Sequence, residues 1–148
     1  MEKTIPHADQ RAKDLFGNGF HCAEAVTFAA LESLGEDAGP AAAHATAFGG
    51  GFGKSFEEAC GALSGSLIVI GHFCGRKTPG PDWDLPASLG DELRRQFIHT
   101  WKTTHCKTLR ERFGEEEQMA QCREVVGAAT RDLIELMASA GIIDSGTI

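Results

Sequence analysis

Apolar residues recur three and four positions apart along almost the whole chain, and this spacing restricts the fold more than any other feature. The clearest case is the stretch of residues 115–140, which predicts a long helix with one continuous apolar seam. The seam consists of Met119, Cys122, Val126, Ala129, Leu133, Leu136 and Ala140. Valine, isoleucine and threonine form no alternating runs, so sheet signals are weak. We therefore expect an all-α fold, a single-domain helical bundle of about five to seven helices over residues 1–148.

Caps and chain breakers predict the other helices. They are expected over residues 8–16, 20–34, 41–48 and 55–73, followed by a loop at 77–86 and a long stretch that Gly114 ends. The sequence Ser55-Phe56-Glu57-Glu58 has the pattern of a capping box, which would start the fourth helix and place Cys60 in its second turn. If the chain breaks at Thr103-Thr104, Cys106 also begins a helix.

Charge and composition exclude several classes of protein. The net charge is −7, and no cluster of lysine and arginine interleaves with aromatic residues, so we expect no nucleic-acid partner. The start MEKTIPHADQ lacks an apolar core, so we expect no secretory signal. The longest apolar run, residues 67–73, is far shorter than the ~20 residues of a membrane span. We expect a cytoplasmic protein with reduced cysteines and no membrane partner.

The glycine run Phe48-Gly49-Gly50-Gly51-Phe52-Gly53 raises the question of a phosphate-binding loop. A Walker A motif that ends at Gly53-Lys54-Ser55 would need a glycine at position 48, where this chain has Phe48. The motif also follows a buried strand, whereas the preceding PAAAHATAF is typical of a helix. We interpret the run as a turn that reverses the chain and lets another group approach its backbone.

Gly61 and Gly65 lie four residues apart and so share one face of the predicted fourth helix. Interior glycines cost about 1 kcal/mol each relative to alanine, so a contact that needs the missing side chains is expected. A face without side chains lets a neighbouring helix come close. Two interpretations follow: helix packing alone, or room for a bound cofactor beside Gly61 and Gly65.

The five cysteines are the side chains with the greatest range of possible chemical roles. They stand at positions 22, 60, 74, 106 and 122. The spacing contains neither CxxC nor CxxCH, so it supports neither a zinc finger nor a c-type haem. Cys22, Cys60 and Cys106 lie near predicted helix starts, where the helix dipole favours a thiolate over a thiol. On spacing alone Cys122 is interpreted as a core residue of the last helix. Cys74, near a helix C-terminus, is interpreted as a cysteine that does not act with the others.

Histidines adjoin three of these cysteines in sequence, namely His21, His72 and His105. Neighbouring residues on a helix point about 100° apart, so adjacency does not by itself indicate contact. We interpret these side chains as surface or capping histidines in preference to metal ligands.

The cysteine pattern as a whole resembles the C_GCAxxG_C_C family, small bacterial and archaeal proteins described as redox-active. The resemblance rests on FGNGFHCAEAV at residues 16–26, FGGGFG at 48–53, ACGALSG at 59–65 with the following LIVIG, CKTL at 106–109 and CREVV at 122–126. His21 replaces the asparagine of the first motif, the second motif carries one extra residue before its last glycine, and Cys74 has no counterpart. The resemblance implies a mostly helical fold and a redox role for Cys22, Cys60, Cys106 and Cys122.

Three functions remain open at this point. The first is thiol–disulfide or electron-transfer chemistry, as in a thiol-dependent oxidoreductase, with Cys22 or Cys60 as the attacking thiolate and another cysteine resolving it. The second is a metal or iron–sulfur module with Cys22, Cys60, Cys106 and Cys122 as ligands, which a resemblance to part of the split-Soret cytochromes also implies. The third is a helical interaction module with inert cysteines. The sequence does not identify a redox partner. Its helix faces of small residues are compatible with a homodimer.

Overall fold

The structure, a computed structural model, describes residues 7–144. Residues 1–6, part of the segment for which no secretory signal is expected, and residues 145–148, the end of the expected domain, lie outside the described residues. The described part contains seven α-helices and no β-strand, which confirms the expected all-α fold. The helices are α1 (Ala8–Leu15), α2 (Cys22–Ser33), α3 (Ala38–Ala45), α4 (Gly61–Cys74), α5 (Asp84–Trp101), α6 (Cys106–Phe113) and α7 (Gln118–Ser139), with a 3₁₀ turn at Thr46–Phe48.

Helix α2 lies in the middle of the bundle and contacts α1, α3, α4 and α7. Its residues are apolar on nearly every side, which is typical of a helix enclosed by others. Val26 and Leu31 are fully buried there, against a core that includes Leu133 and Met137 of α7. Nowhere between residues 7 and 144 is a helix both long enough and apolar enough to cross a bilayer.

The predicted seam of the last helix is correct in its middle and wrong at its ends. Val126, Ala129 and Leu133 are buried, whereas Met119 is 56% exposed. The helix begins at Gln118, so Met119 belongs to its first turn, and that turn extends beyond the core. Cys122 lies one turn further along, half-buried.

The predicted start of the fourth helix at Ser55 is wrong, since α4 begins only at Gly61. The residues from Gly50 to Lys54 all have left-handed backbone angles, with φ between 61° and 71°, and Phe56 has φ 63°. The amide of Phe56 donates to the Gly50 carbonyl at 2.9 Å, and the Ser55 hydroxyl donates to the Gly51 carbonyl at 2.8 Å. The segment therefore folds back on the glycine run, and the capping box does not form.

The end of this loop pairs with the segment that precedes α6. The Cys60 amide donates to the Thr104 carbonyl at 2.7 Å, and the Cys106 amide donates to the Glu58 carbonyl at 2.9 Å. These two bonds flank an isolated antiparallel bridge between Ala59 and His105. Because the chain enters α4 and α6 directly from the bridge, the two helices begin side by side.

Candidate functional site

Four of the five cysteines line one cavity of about 370 Å³. Cys22 is the first residue of α2, Cys60 immediately precedes α4, and Cys106 is the first residue of α6. Cys122 reaches the cavity from the second turn of α7. Four cysteines that are distant in sequence thus line one partly open cavity. The predicted break at Thr103-Thr104 is confirmed, because α5 ends at Trp101 and α6 begins at Cys106.

Cys74 lies apart from this cavity. It is the last residue of α4, and its thiol donates a hydrogen bond to the Ile70 carbonyl at 3.3 Å. It is absent from the residues that line the cavity. Cys74 therefore offers a natural internal control for experiments on the other four.

Gly61 and Gly65 bring α4 directly against the start of α2. A Cβ atom at Gly61 would overlap the Cys22 sulfur, and a Cβ atom at Gly65 would lie 2.5 Å from the Ala23 carbonyl oxygen. Real side chains do not come this close, so the two glycines permit the helix contact that sets the position of Cys22. This matches the packing interpretation. The cofactor-binding role of Gly61 and Gly65 stays a prediction, and neither residue lines the cavity.

A buried carboxylate, Glu24, fixes the first turn of α2. The His21 amide donates to one Glu24 oxygen at 2.9 Å, and the Thr46 hydroxyl donates to the other at 2.7 Å. Glu24 is 8% exposed, so both bonds are shielded from water. Glu24 was not predicted as a site residue, although a glutamate three positions after a helix cap is the second half of a capping box.

The thiols differ in burial, and burial controls their ionisation. Cys60 and Cys106 are buried, whereas Cys22 and Cys122 are half-buried. Burial raises the pKa of the Cys60 thiol well above its ordinary value, and repulsion by a thiolate at Cys22 raises it further. The same two causes, in the same order, raise the pKa of Cys106 and bring that of Cys122 to about 11. Helix starts were expected to favour thiolates, but at Cys60 and Cys106 burial outweighs that effect.

The raised pKa of Cys122 predicts that alkali destabilises the fold. Its thiol keeps its proton in the folded state up to about pH 11, while in the unfolded chain it loses the proton near pH 9. The stabilisation that the protonated Cys122 thiol contributes is therefore complete below the pKa of the unfolded chain. It is lost as pH rises through the pKa of the folded state. One such thiol contributes at most about 1.4 kcal/mol per pH unit, and less here because Cys122 is partly solvated.

Urea unfolding of the reduced protein between pH 8 and 11 measures this effect. The free energy of unfolding should fall more steeply in the wild type than in Cys122→Ser. The chain has no tyrosine, so phenol ionisation does not obscure the comparison. Parallel curves for the two proteins would show that Cys122 ionises equally easily in both states.

Basic and aromatic side chains complete the cavity wall. Lys54 and Arg110 both line it, and the Arg110 guanidinium lies 4.0 Å from the centre of the Phe56 ring. Arg110 partly offsets the raised pKa of Cys106 and of Cys122. None of these three residues was predicted to be part of a site. Lys54 was considered only as the lysine of an incomplete Walker motif.

The histidines beside the cysteines have structural partners. His21 and His105 occupy the cap positions before α2 and α6. The His105 ring joins the Thr108 hydroxyl at 2.8 Å and the Glu57 carbonyl at 3.0 Å, and the His72 ring lies 2.9 Å from a Glu36 oxygen. In residues 7–144 no group of three or more histidine, cysteine or acidic side chains is arranged to hold a metal ion. All five cysteines are free thiols.

The all-α fold and the cavity lined by four cysteines define the chain as a helical protein whose cysteines are brought together by folding. Residues 20–136 match the sequence model of the family described as "Putative redox-active protein (C_GCAxxG_C_C)". The chain belongs to this family, which confirms the resemblance drawn from its motifs. Searches of curated proteins and of solved structures gave no match.

Proposed function

We propose that this protein carries out thiol–disulfide redox chemistry inside the cysteine cavity. The supporting observation is that Cys22, Cys60, Cys106 and Cys122 come from four separate elements and line one cavity, while Cys74 does not. A cysteine that serves only as a small core residue has no need of three others around the same space. The family description, redox-active, agrees with this function.

Cys22 is the attacking thiol in this proposal. It is half-exposed, so a substrate can reach it, and it is the first residue of α2. A thiolate at Cys22 also raises the pKa of Cys60, Cys106 and Cys122, so its sulfur lies near all three. Those three are disfavoured as thiolates in the resting protein, which suits resolving cysteines better than an attacking one.

The proposed reaction is a two-step exchange. The Cys22 thiolate attacks one sulfur of an oxidised disulfide substrate and forms a mixed disulfide, while the other substrate sulfur leaves as a thiolate. A second cavity cysteine, as thiolate, then attacks the Cys22 sulfur and expels the remaining substrate thiolate. The protein loses two electrons and two protons, and the substrate gains both to become two thiols.

Thiol counting in a glutathione redox buffer tests the proposal. The wild type has five cysteines, so one internal disulfide leaves three titratable thiols after denaturation. Cys74→Ser should fall from four thiols to two, because Cys74 lies outside the cavity. Cys22→Ser should keep all four, since its attacking thiol is missing. If Cys22→Ser loses two thiols as readily as Cys74→Ser does, or if the wild type loses none, the proposal is wrong.

A metal or iron–sulfur site is the second candidate, and the donor set favours it. Cys22, Cys60, Cys106 and Cys122 would hold the group, and four thiolates are the soft ligands that zinc and iron–sulfur clusters take. A bound cation would also relieve the repulsion between thiolates around the cavity. An iron–sulfur cluster would supply one-electron transfer. This function requires the four sulfur atoms to draw together from their positions in the structure.

Metal analysis after anaerobic purification separates the two candidates. The thiol–disulfide function predicts colourless protein with far less than one iron or zinc per chain. Stoichiometric iron with charge-transfer absorbance, lost in Cys60→Ser and kept in Cys74→Ser, would establish the second function instead. Protein without metal and without reversible disulfide formation would leave the helical interaction module.

A further inference from the structure

The cavity wall contains side chains that thiol–disulfide exchange between the four cysteines does not require. Four phenylalanine side chains contribute to it, namely Phe16, Phe20, Phe56 and Phe113. They come from the segments before α2 and α4 and from the end of α6. At about 370 Å³, the cavity lies within the range of ~300–1,000 Å³ in which proteins hold small molecules. The wall therefore offers aromatic surface to a ligand.

The charged groups of this wall all have one sign. Lys54 and Arg110 line the cavity, and within residues 7–144 no aspartate or glutamate does, although the chain has 21 acidic and 14 basic residues. Between residues 7 and 144 neither Lys54 nor Arg110 pairs with a carboxylate. Arg110 is held against the Phe56 ring, which leaves its N–H groups available to an anion.

We propose that the cavity binds a small planar apolar molecule with one acidic group. The ring system lies among the phenylalanines, and the acid accepts hydrogen bonds from Arg110 with Lys54 nearby. For the thiol exchange this indicates a small disulfide substrate with aromatic, acidic substituents, and that extension rests on the proposed function. The binding itself does not depend on any thiol.

A matched pair of fluorescent probes tests the binding. 8-Anilino-1-naphthalenesulfonate carries one negative charge, and N-phenyl-1-naphthylamine has nearly the same rings without it. Arg110→Gln should weaken the anionic probe about tenfold, the usual effect of losing a charged hydrogen bond, and leave the neutral probe within twofold. Lys107→Gln is the control, because it removes the same charge from α6 but lies outside the cavity wall.

Alkylation of the cysteines shows where the anionic probe binds. The bound anion should slow iodoacetamide modification of Cys22 and leave that of Cys74 unchanged, since Cys22 lines the cavity and Cys74 does not. Equal weakening in Arg110→Gln and Lys107→Gln, equal effects on both probes, or no protection of Cys22 would overturn the inference. Cys22→Ser should still bind the anion. A protein that binds it without forming a disulfide refutes the proposed function alone, and one that forms the disulfide without binding it refutes this inference alone.

Discussion

Replacing Gly65 by alanine should lower the free energy of unfolding by about 2 kcal/mol or more, because the added methyl group has no space. Its Cβ would lie 2.5 Å from the Ala23 carbonyl oxygen and 3.0 Å from the Thr27 hydroxyl. The first of these atoms is backbone, so relief requires α4 to move away from α2. That movement would also carry Cys60 away from Cys22, and internal disulfide formation should slow.

Gly71→Ala is the matched control on the same helix. A Cβ atom at Gly71 meets no heavy atom within 4 Å, and the position is exposed. Alanine should therefore stabilise α4 by about 0.5–1 kcal/mol through its better helix propensity. Urea unfolding of both variants measures the difference. Equal changes of the same sign would show that α4 does not lie against α2 as described.

Gly51→Ala should destabilise the protein by about 3 kcal/mol, and the loss has two sources. Gly51 has φ +62°, a left-handed conformation that costs an alanine about 1 kcal/mol. The new Cβ would also lie 2.7 Å from the Cys106 Cβ and 2.9 Å from the Phe56 Cα, and overpacking of this kind typically costs ~1–3 kcal/mol. The substitution pushes the glycine loop away from the start of α6.

Gly53→Ala separates the two sources. Gly53 has nearly the same backbone angle, φ +63°, but its Cβ would meet nothing within 4 Å. The control should lose only about 1 kcal/mol from backbone strain. Thermal or urea unfolding reports both values. If Gly53→Ala costs as much as Gly51→Ala, Gly51 does not lie against Cys106 and Phe56 in the folded protein.

The helices were predictable because their signals are local. Apolar periodicity and the glycine breaks predicted α1, α2 and α7 to within a few residues. The start of α4 was not predictable in this way. Ser55 and Glu58 have the chemistry of a capping box, but hydrogen bonds to Gly50 and Gly51, and pairing of residues 56–60 with 104–107, hold the segment in another conformation. Tertiary contacts outweighed a local preference.

The cysteines of the candidate site were predictable, but its wall was not. Motif resemblance singled out the four cavity cysteines, since their spacing along the chain is characteristic. Lys54, Phe56 and Arg110 lie outside the motifs that carry the family resemblance, and they line one cavity only because the glycine loop turns back toward α6. Glu24 could have been found from its position in the first turn of α2, where a glutamate binds free amides.

Peptide mapping of the oxidised protein tests the central claim most directly. Reduced protein is oxidised in a glutathione buffer, remaining thiols are alkylated, and the disulfide-linked peptides are identified by mass spectrometry. We predict a disulfide within one chain that joins Cys22 to Cys60, Cys106 or Cys122, with Cys74 fully alkylated. A disulfide that contains Cys74, or links between chains only, would contradict it.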